Sequence, residues 1–568
     1  MSRRVLVPLA VSSLLLACDP QPVPTDAALE PDAPLGEDAF APDAFVVVND
    51  WPASEVPASS EVEPGIVREL VELDGFDAPP NPEGPVDTPA PYDRARFVRY
   101  RASTATEPRA VVIAMPGIFG GAGSFEPLAR ALVRRSLAAG SSTGPIEVWA
   151  IDRRSNHLED LRGLDAAEAE RNVDIARGYY FGRDTVGGER FAGFVAQEDV
   201  AFMSEWGLET HFGDLRAMIE RVPEGARRGH VFLLGHSLGG TMTETFASWV
   251  FEDGVRGSDL LAGLVLVDGS QGETPITETE YLEGGGSGFM PITGLNAIRS
   301  ETRYIALPIL GVSVYATAEI VAMAASLSPD EVRMGDRDRD SVLRTLLGGA
   351  RVPPMTNEAA FGFGFDDASN GLSFAAVSMG QPVGPVEPYE SLFGSTLERP
   401  SDPSVTYTWI DAPDSDPAEL TPVANLAAAW VSGRTNFAEW YFPARLSLDL
   451  AACGGLAVAE GAWQDGQGLR CREGAAVDAP VLAIAAGLRD VASYESSRMR
   501  YAAVGAGRVN AGATRDTDAG YRVVDATFMT HIDPLTAEDS ERNAVPEEIL
   551  AFVAANLETG TTGAIELP

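Results

Sequence analysis

The chain has 568 residues and a formal net charge of −41, and every one of its 42 Lys or Arg positions is arginine. That acidity argues against nucleic acid and anionic membrane surfaces as partners. The absence of lysine removes Ser-Lys dyads, Schiff-base chemistry and the lysine of phosphate-binding loops. The length allows about two to four domains, each with a sizeable core.

Residues 1–17 begin with Arg3-Arg4, continue through an apolar run from Val5 to Leu16, and end before Cys18 in Leu15-Leu16-Ala17-Cys18. A basic start, an apolar middle and small residues at the cut describe a secretory signal. The Leu-Leu-Ala-Cys ending resembles a bacterial lipoprotein signal. That resemblance implies cleavage before Cys18, lipidation of its thiol and an extracytoplasmic, membrane-anchored location, without distinguishing inner from outer membrane. Residues 18–65 are rich in Pro, Ala, Asp and Glu, with no basic residue between Arg4 and Arg68. Such a segment buries too little apolar surface to order itself and reads as an extended, self-repelling tether.

From residue 66 to 269 the pattern becomes regular. Phe97 to Arg101 alternates like a half-buried strand. Ala110 to Met115, Ile146 to Ile151, Val231 to Leu234 and Leu260 to Val267 read as buried strands, with helices over Ser124–Arg135, Leu208–Val222 and from Thr241. Strands alternating with helices predict a mainly parallel sheet covered on both faces, an α/β architecture. The pattern breaks over residues 270–479 and resumes over 480–568, with a strand from Pro480 to Gly487 and a closing helix from Val545 to Leu557. The interruption is too long for a loop. It reads as a mainly helical inserted cap. Ser328-Pro329-Asp330-Glu331 and Thr421-Pro422 carry helix-start signals, and Ala306 to Leu327 forms an apolar buried or lid helix. Cys453 and Cys471, the pair remaining after Cys18, are expected to form a disulfide.

The chain is organised around Gly235-His236-Ser237-Leu238-Gly239. It follows four apolar strand residues and precedes a helix, so Ser237 sits on a sharp turn that pushes its hydroxyl out of the sheet. A serine nucleophile needs a base. Of the five histidines only His531 follows the last strand, where a loop brings an imidazole over the sheet's C-terminal edge. The base needs a carboxylate. Asp490, just past the last strand, is favoured; Asp268, which ends the strand after the nucleophile, is the alternative. The oxyanion hole is expected from the Leu238 N–H and that of Ile118 or Phe119 in Pro116-Gly117-Ile118-Phe119-Gly120-Gly121. Asp336-x-Asp338-x-Asp340 starts like a calcium loop but lacks its Gly and final Glu. No metal or cofactor is expected.

The elbow, the Pro-Gly loop, the order Ser-Asp-His and the inserted cap resemble the α/β-hydrolase fold superfamily, over roughly Phe97 to Gly269 and Pro480 to Leu557. Asp152-Arg153-Arg154 is similar to the family's Asp-x-Arg-Gly, with Ser155 in place of the glycine, and Pro116 stands where members often carry a bracing histidine. The resemblance implies a serine esterase or lipase that forms an acyl-enzyme on Ser237. A peptidase or acyltransferase using the same residues, and a non-catalytic binding protein on the same fold, are the alternatives. The apolar cap and the acidity favour a neutral ester with an apolar acyl or alkoxy group.

Overall fold

The structure, a computed structural model, describes residues 59–568 except 85, 105–106, 287–290, 308–309, 392–393 and 413. The signal-like run, Cys18 and most of the acidic tether lie outside the described residues. The tether's expected end does not: Ser59–Glu63 is a strand paired antiparallel with Ile66–Asp74, so these last residues of the expected tether belong to a sheet.

Among the described residues, nine strands form one sheet. They are β1 Ser59–Glu63, β2 Ile66–Asp74, β3 Arg94–Ala102, β4 Ala110–Met115, β5 Ile146–Asp152, β6 Val231–His236, β7 Gly263–Val267, β8 Val481–Ala485 and β9 Tyr521–Asp525. Their order is β1-β2-β3-β5-β4-β6-β7-β8-β9. The pairings from β5 through β9 are parallel, and those among β1, β2, β3 and β5 are antiparallel. This is the α/β-hydrolase arrangement, with β1 as an additional edge strand.

Every residue of β4 to β8 is buried. That is why these segments read as continuous apolar runs: a parallel sheet is covered on both faces. Alternate residues feed two cores. Ile113, Leu233, Leu264 and Ala483 face one core; Val112, Leu234, Val265 and Leu482 face the other. Helices α1 (Glu126–Leu137) and α9 (Val545–Asn556) cover the second face through Leu128, Leu132, Ile549 and Phe552. On the first face lie α2 (Arg162–Glu170), α3 (Leu208–Ile219) and α4 (Leu238–Ser248), the last two contributing Phe212, Leu215, Met242 and Phe246.

The insert leaves the sheet after β7 and returns at β8. Its central helix α5 (Ser313–Leu327) packs against α6 (Arg337–Leu346), α7 (Asn357–Phe365) and α8 (Val423–Trp430). The cap is less purely helical than its sequence suggests, because its described residues also carry four two-stranded antiparallel ribbons. One of them corrects a helix assignment. Val332–Arg333 pairs with Met355–Thr356, so Ser328 starts no helix; Asp336 caps α6 instead, accepting from the Arg339 amide. The calcium-like aspartates are thereby the cap and first turn of α6. Cys453 and Cys471 are disulfide-bonded, and Cys471 bridges to Trp249 at the end of α4, tying the insert's return to the core.

Candidate active site

At the C-terminal edge of the sheet, β6 ends at His236 and α4 starts at Leu238, leaving Ser237 alone between them at φ 57°, ψ −124°. A non-glycine residue there is strained and held by its surroundings. The surroundings are tight. A Cβ at Gly235 would overlap the Gly239 carbonyl, and one at Gly239 would overlap the Met115 carbonyl. The Ser237 amide donates to the Val267 carbonyl at 2.9 Å, fastening the turn to β7.

His531 lies in the loop after β9. Its Nδ1 donates to Asp268 Oδ2 at 2.6 Å, with both side chains buried. With the proton on Nδ1, Nε2 of the neutral ring is the basic atom. The Asp268 carboxylate also accepts from the amides of Ala486, Leu488 and Arg489, which are the first residues beyond β8. It is therefore aimed by the neighbouring strand's loop as well as by its own. His236 supports the loop from below: its Nε2 donates to the His531 carbonyl at 2.8 Å. Burial and the nearby His531 ring push the His236 imidazole well below its usual range, so it stays neutral.

Asp490, the carboxylate favoured from the sequence, does not meet His531. It is the N-cap of the helix Val491–Ser497 and accepts from the Ser493 amide at 2.8 Å. The chain turns into this helix at once after β8, and the cap draws the side chain to the surface. Asp268, the alternative, holds the position.

The loop after β4 closes over the serine. A Cβ on Gly117 would lie 2.8 Å from Ser237 Cβ and 3.2 Å from its Oγ, so only glycine fits there. Phe119 takes φ 57°. Among the described residues, no backbone acceptor meets the N–H of Ile118 or Phe119. Leu238 opens α4, where the first amides of a helix have no partner within it.

Arg153 braces this loop, and sequence reasoning passed over it. Its Nη2 donates to the carbonyls of Pro116 (2.5 Å) and Gly117 (3.1 Å), and its Nη1 to that of Gly120 (3.2 Å) and to Glu439 at 2.6 Å. Ser155 donates to the other Glu439 oxygen. From the cap side, Phe119 and Phe437 carbonyls accept from the Glu439 and Gly121 amides. Arg153 thus braces a loop whose Pro116 has no N–H of its own to offer. The brace's acidic half comes from the cap and carries no local sequence signal.

Gly117, Ile118, Phe119, Ser237 and His531 line the floor of one cavity of about 1080 Å³, counting its open mouth; cap residues line the rest. Val314, Ala318 and Val321 of α5 face it, as do Leu343 of α6, Phe365 of α7 and Trp430 of α8. Trp440, Tyr441 and Phe442 of the insert are buried in the core.

No protein-family model matches the chain, and no curated protein matches it. Solved structures do resemble it. They include a candidate lipase from Sulfolobus solfataricus, with a TM-score of 0.42 and 11% identity over 88% of this chain and 95% of that one. The peroxisomal α/β-hydrolase Lpx1 of Saccharomyces cerevisiae gives 0.35 and 10% over 89% and 94%. Epoxide hydrolase A of Mycobacterium thermoresistibile gives 0.32 and 13% over 81% and 96%. These likenesses concern the fold alone; any chemistry rests on the side chains described above.

Proposed function

We propose that the protein is a serine hydrolase that cleaves carboxylic esters with a largely apolar acyl or alkoxy group. The observation that carries this reading is the 2.6 Å His531–Asp268 pair, whose His531 lines the same cavity as the strained, buried Ser237. Ser237 Oγ attacks the ester carbonyl as His531 Nε2 takes its proton, and Asp268 stabilises the resulting imidazolium. The N–H groups of Leu238 and of Ile118 or Phe119 receive the negative charge on the carbonyl oxygen. The imidazolium protonates the departing alcohol, leaving an acyl-enzyme. Water, deprotonated by His531, then releases the acid.

The test is covalent labelling with a fluorophosphonate followed by peptide mapping, together with hydrolysis of a butyrate ester. The label is expected on Ser237. Ser237→Ala is expected to lose turnover by about 10³-fold or more with its circular dichroism unchanged, and near wild-type turnover in that variant removes the reading.

We further propose that the mature chain is held at a bacterial membrane by lipid on Cys18. The support is the sequence of residues 1–18. Among the described residues no helix is long and apolar enough to cross a membrane. Fatty-acid metabolic labelling lost in Cys18→Ser supports the anchor; unlabelled wild-type protein rejects it.

A further inference from the structure

Thr421 stands just before α8, in the Thr-Pro pair that reads as a helix start, yet its side chain does not cap that helix. Pro422 takes the N-cap position, and Thr421 Oγ1 instead donates to Asp533 Oδ1 at 2.8 Å. Asp533 lies two residues beyond His531 and opens the short helix Asp533–Thr536. Three more donors meet its carboxyl group. The Ser378 amide reaches Oδ1 at 3.0 Å, the Ser378 hydroxyl reaches Oδ2 at 2.7 Å, and the Thr530 amide reaches Oδ2 at 2.8 Å. Asp533, Ser378 and Thr421 are all buried.

The Thr530 bond closes a turn around His531, since it joins the residue before the histidine to the one two beyond it. The other three bonds come from the cap. Ser378 and Thr421 are themselves tied, the Thr421 amide donating to the Ser378 carbonyl at 2.8 Å. Two distant segments of the insert thus grip one side chain. Both segments also reach the cavity: Phe374 and Ala375 come shortly before Ser378, and Trp430 ends α8. The sheet holds the same turn through the His236 ring on the His531 carbonyl. It also holds it through Gly487, where a Cβ would lie 2.6 Å from the His531 nitrogen.

Asparagine would not serve in place of Asp533. Each carboxyl oxygen accepts one backbone N–H, which cannot reverse, and one hydroxyl, which can. An amide turned either way sets its NH2 against one of the two N–H groups.

We infer that Asp533 is a positioning residue: through it, Ser378 and Thr421 of the cap hold the backbone of His531 where its ring meets Asp268. The cap then serves the chemical step as well as the binding of substrate. This rests on His531 being the base of the proposed hydrolase.

The experiment removes the cap's donors one at a time in the full-length chain. It reads kcat and KM for a butyrate ester, and the NMR signal of the His531 Nδ1 proton in protein made with isotope-labelled histidine, assigned by its loss in His531→Gln. A base displaced by about 1 Å costs up to about 10²-fold in rate. Thr421→Val is expected to lower kcat by about tenfold with KM within about twofold, and to move the proton signal. Thr421→Ser, which keeps the hydroxyl, should restore both, and Ser378→Ala should act as Thr421→Val does. Asp533→Asn should lose more; if it does not fold, the two cap variants decide. A lower melting temperature with kcat and the proton signal unchanged in both cap variants overturns the inference. So does a rise in KM alone, or a loss of kcat with the signal unmoved, since the effect would then not pass through His531. If the unsubstituted chain turns over no ester while the signal responds as expected, the hydrolase reading fails and the tie between cap and histidine stands.

Discussion

Arg153 and Glu439 meet at 2.6 Å with both side chains out of water, and through them the sheet and the inserted cap share one brace beneath the Gly117–Gly121 loop. Removing one member of a buried pair strands the other's charge, at about 3–5 kcal/mol. Arg153→Met is therefore expected to lose about that much in urea unfolding and to lower kcat by about tenfold or more as the loop's carbonyls lose their donor. Burial holds the Glu439 carboxyl above its usual range while Arg153 opposes it, so the charge left alone is a costly one. Adding Glu439→Gln to Arg153→Met should recover part of the stability. Equal losses in the single and double variants would mean that the two residues are not coupled.

Two aspartates separate the sequence's preference from the geometry. Asp268→Asn should leave His531 without its acceptor and lower kcat by about 10³–10⁴-fold. Asp490→Ala removes only a helix cap, costing about 1 kcal/mol with ester turnover unchanged. A loss of turnover in Asp490→Ala matching that in Asp268→Asn would reverse the assignment.

The cap side of the cavity should set chain-length preference. Each buried methylene adds about 0.8 kcal/mol, so kcat/KM is expected to rise from acetyl to octanoyl esters. Ala318→Phe, on the cavity wall of α5, should flatten that rise while leaving acetate turnover within about twofold. A steep rise preserved in the variant would move the acyl chain elsewhere.

Beneath α5, Asp165 of α2 is pushed up to about 7 by burial, with Asp160 adding to the rise and Arg434 and Arg96 opposing it. Its folded pKa lies above its unfolded one, so the folded state holds the proton more tightly. The stability this contributes is present below about pH 4 and is lost as pH rises through 7. Asp165→Asn keeps a neutral side chain at every pH. Relative to wild type it should gain on the order of 2–3 kcal/mol between pH 5 and pH 8, read from melts across that range. A difference independent of pH would show that Asp165 does not titrate in the fold.

The buried strands and the elbow are legible because both leave local marks: unbroken apolar runs, and small residues on either side of Ser237. His531 is legible by position, as the one histidine beyond the last strand. Asp268 and Asp490 both follow strand ends, and choosing between them requires knowing which side chain turns back over the sheet. The sequence does hold one clue, since Asp490 with Ser493 is a helix N-cap pattern and its side chain is already engaged. Arg153 has no such clue, because its partner Glu439 is 286 residues away. The cap's strands run two to five residues, too short to print an alternating pattern. At Ser328-Pro329, a sound helix-start signal yields to the pairing of Val332–Arg333 with Met355–Thr356.

The interrupted sheet also sets a clock. Asp268 and His531 are separated by 263 residues, most of them cap. A ribosome adding about 5–20 residues per second needs roughly 10–50 s to pass from one to the other. Throughout that interval the nascent chain carries its serine and its carboxylate but no base. Every product of premature termination ahead of residue 531 should therefore be inert towards esters.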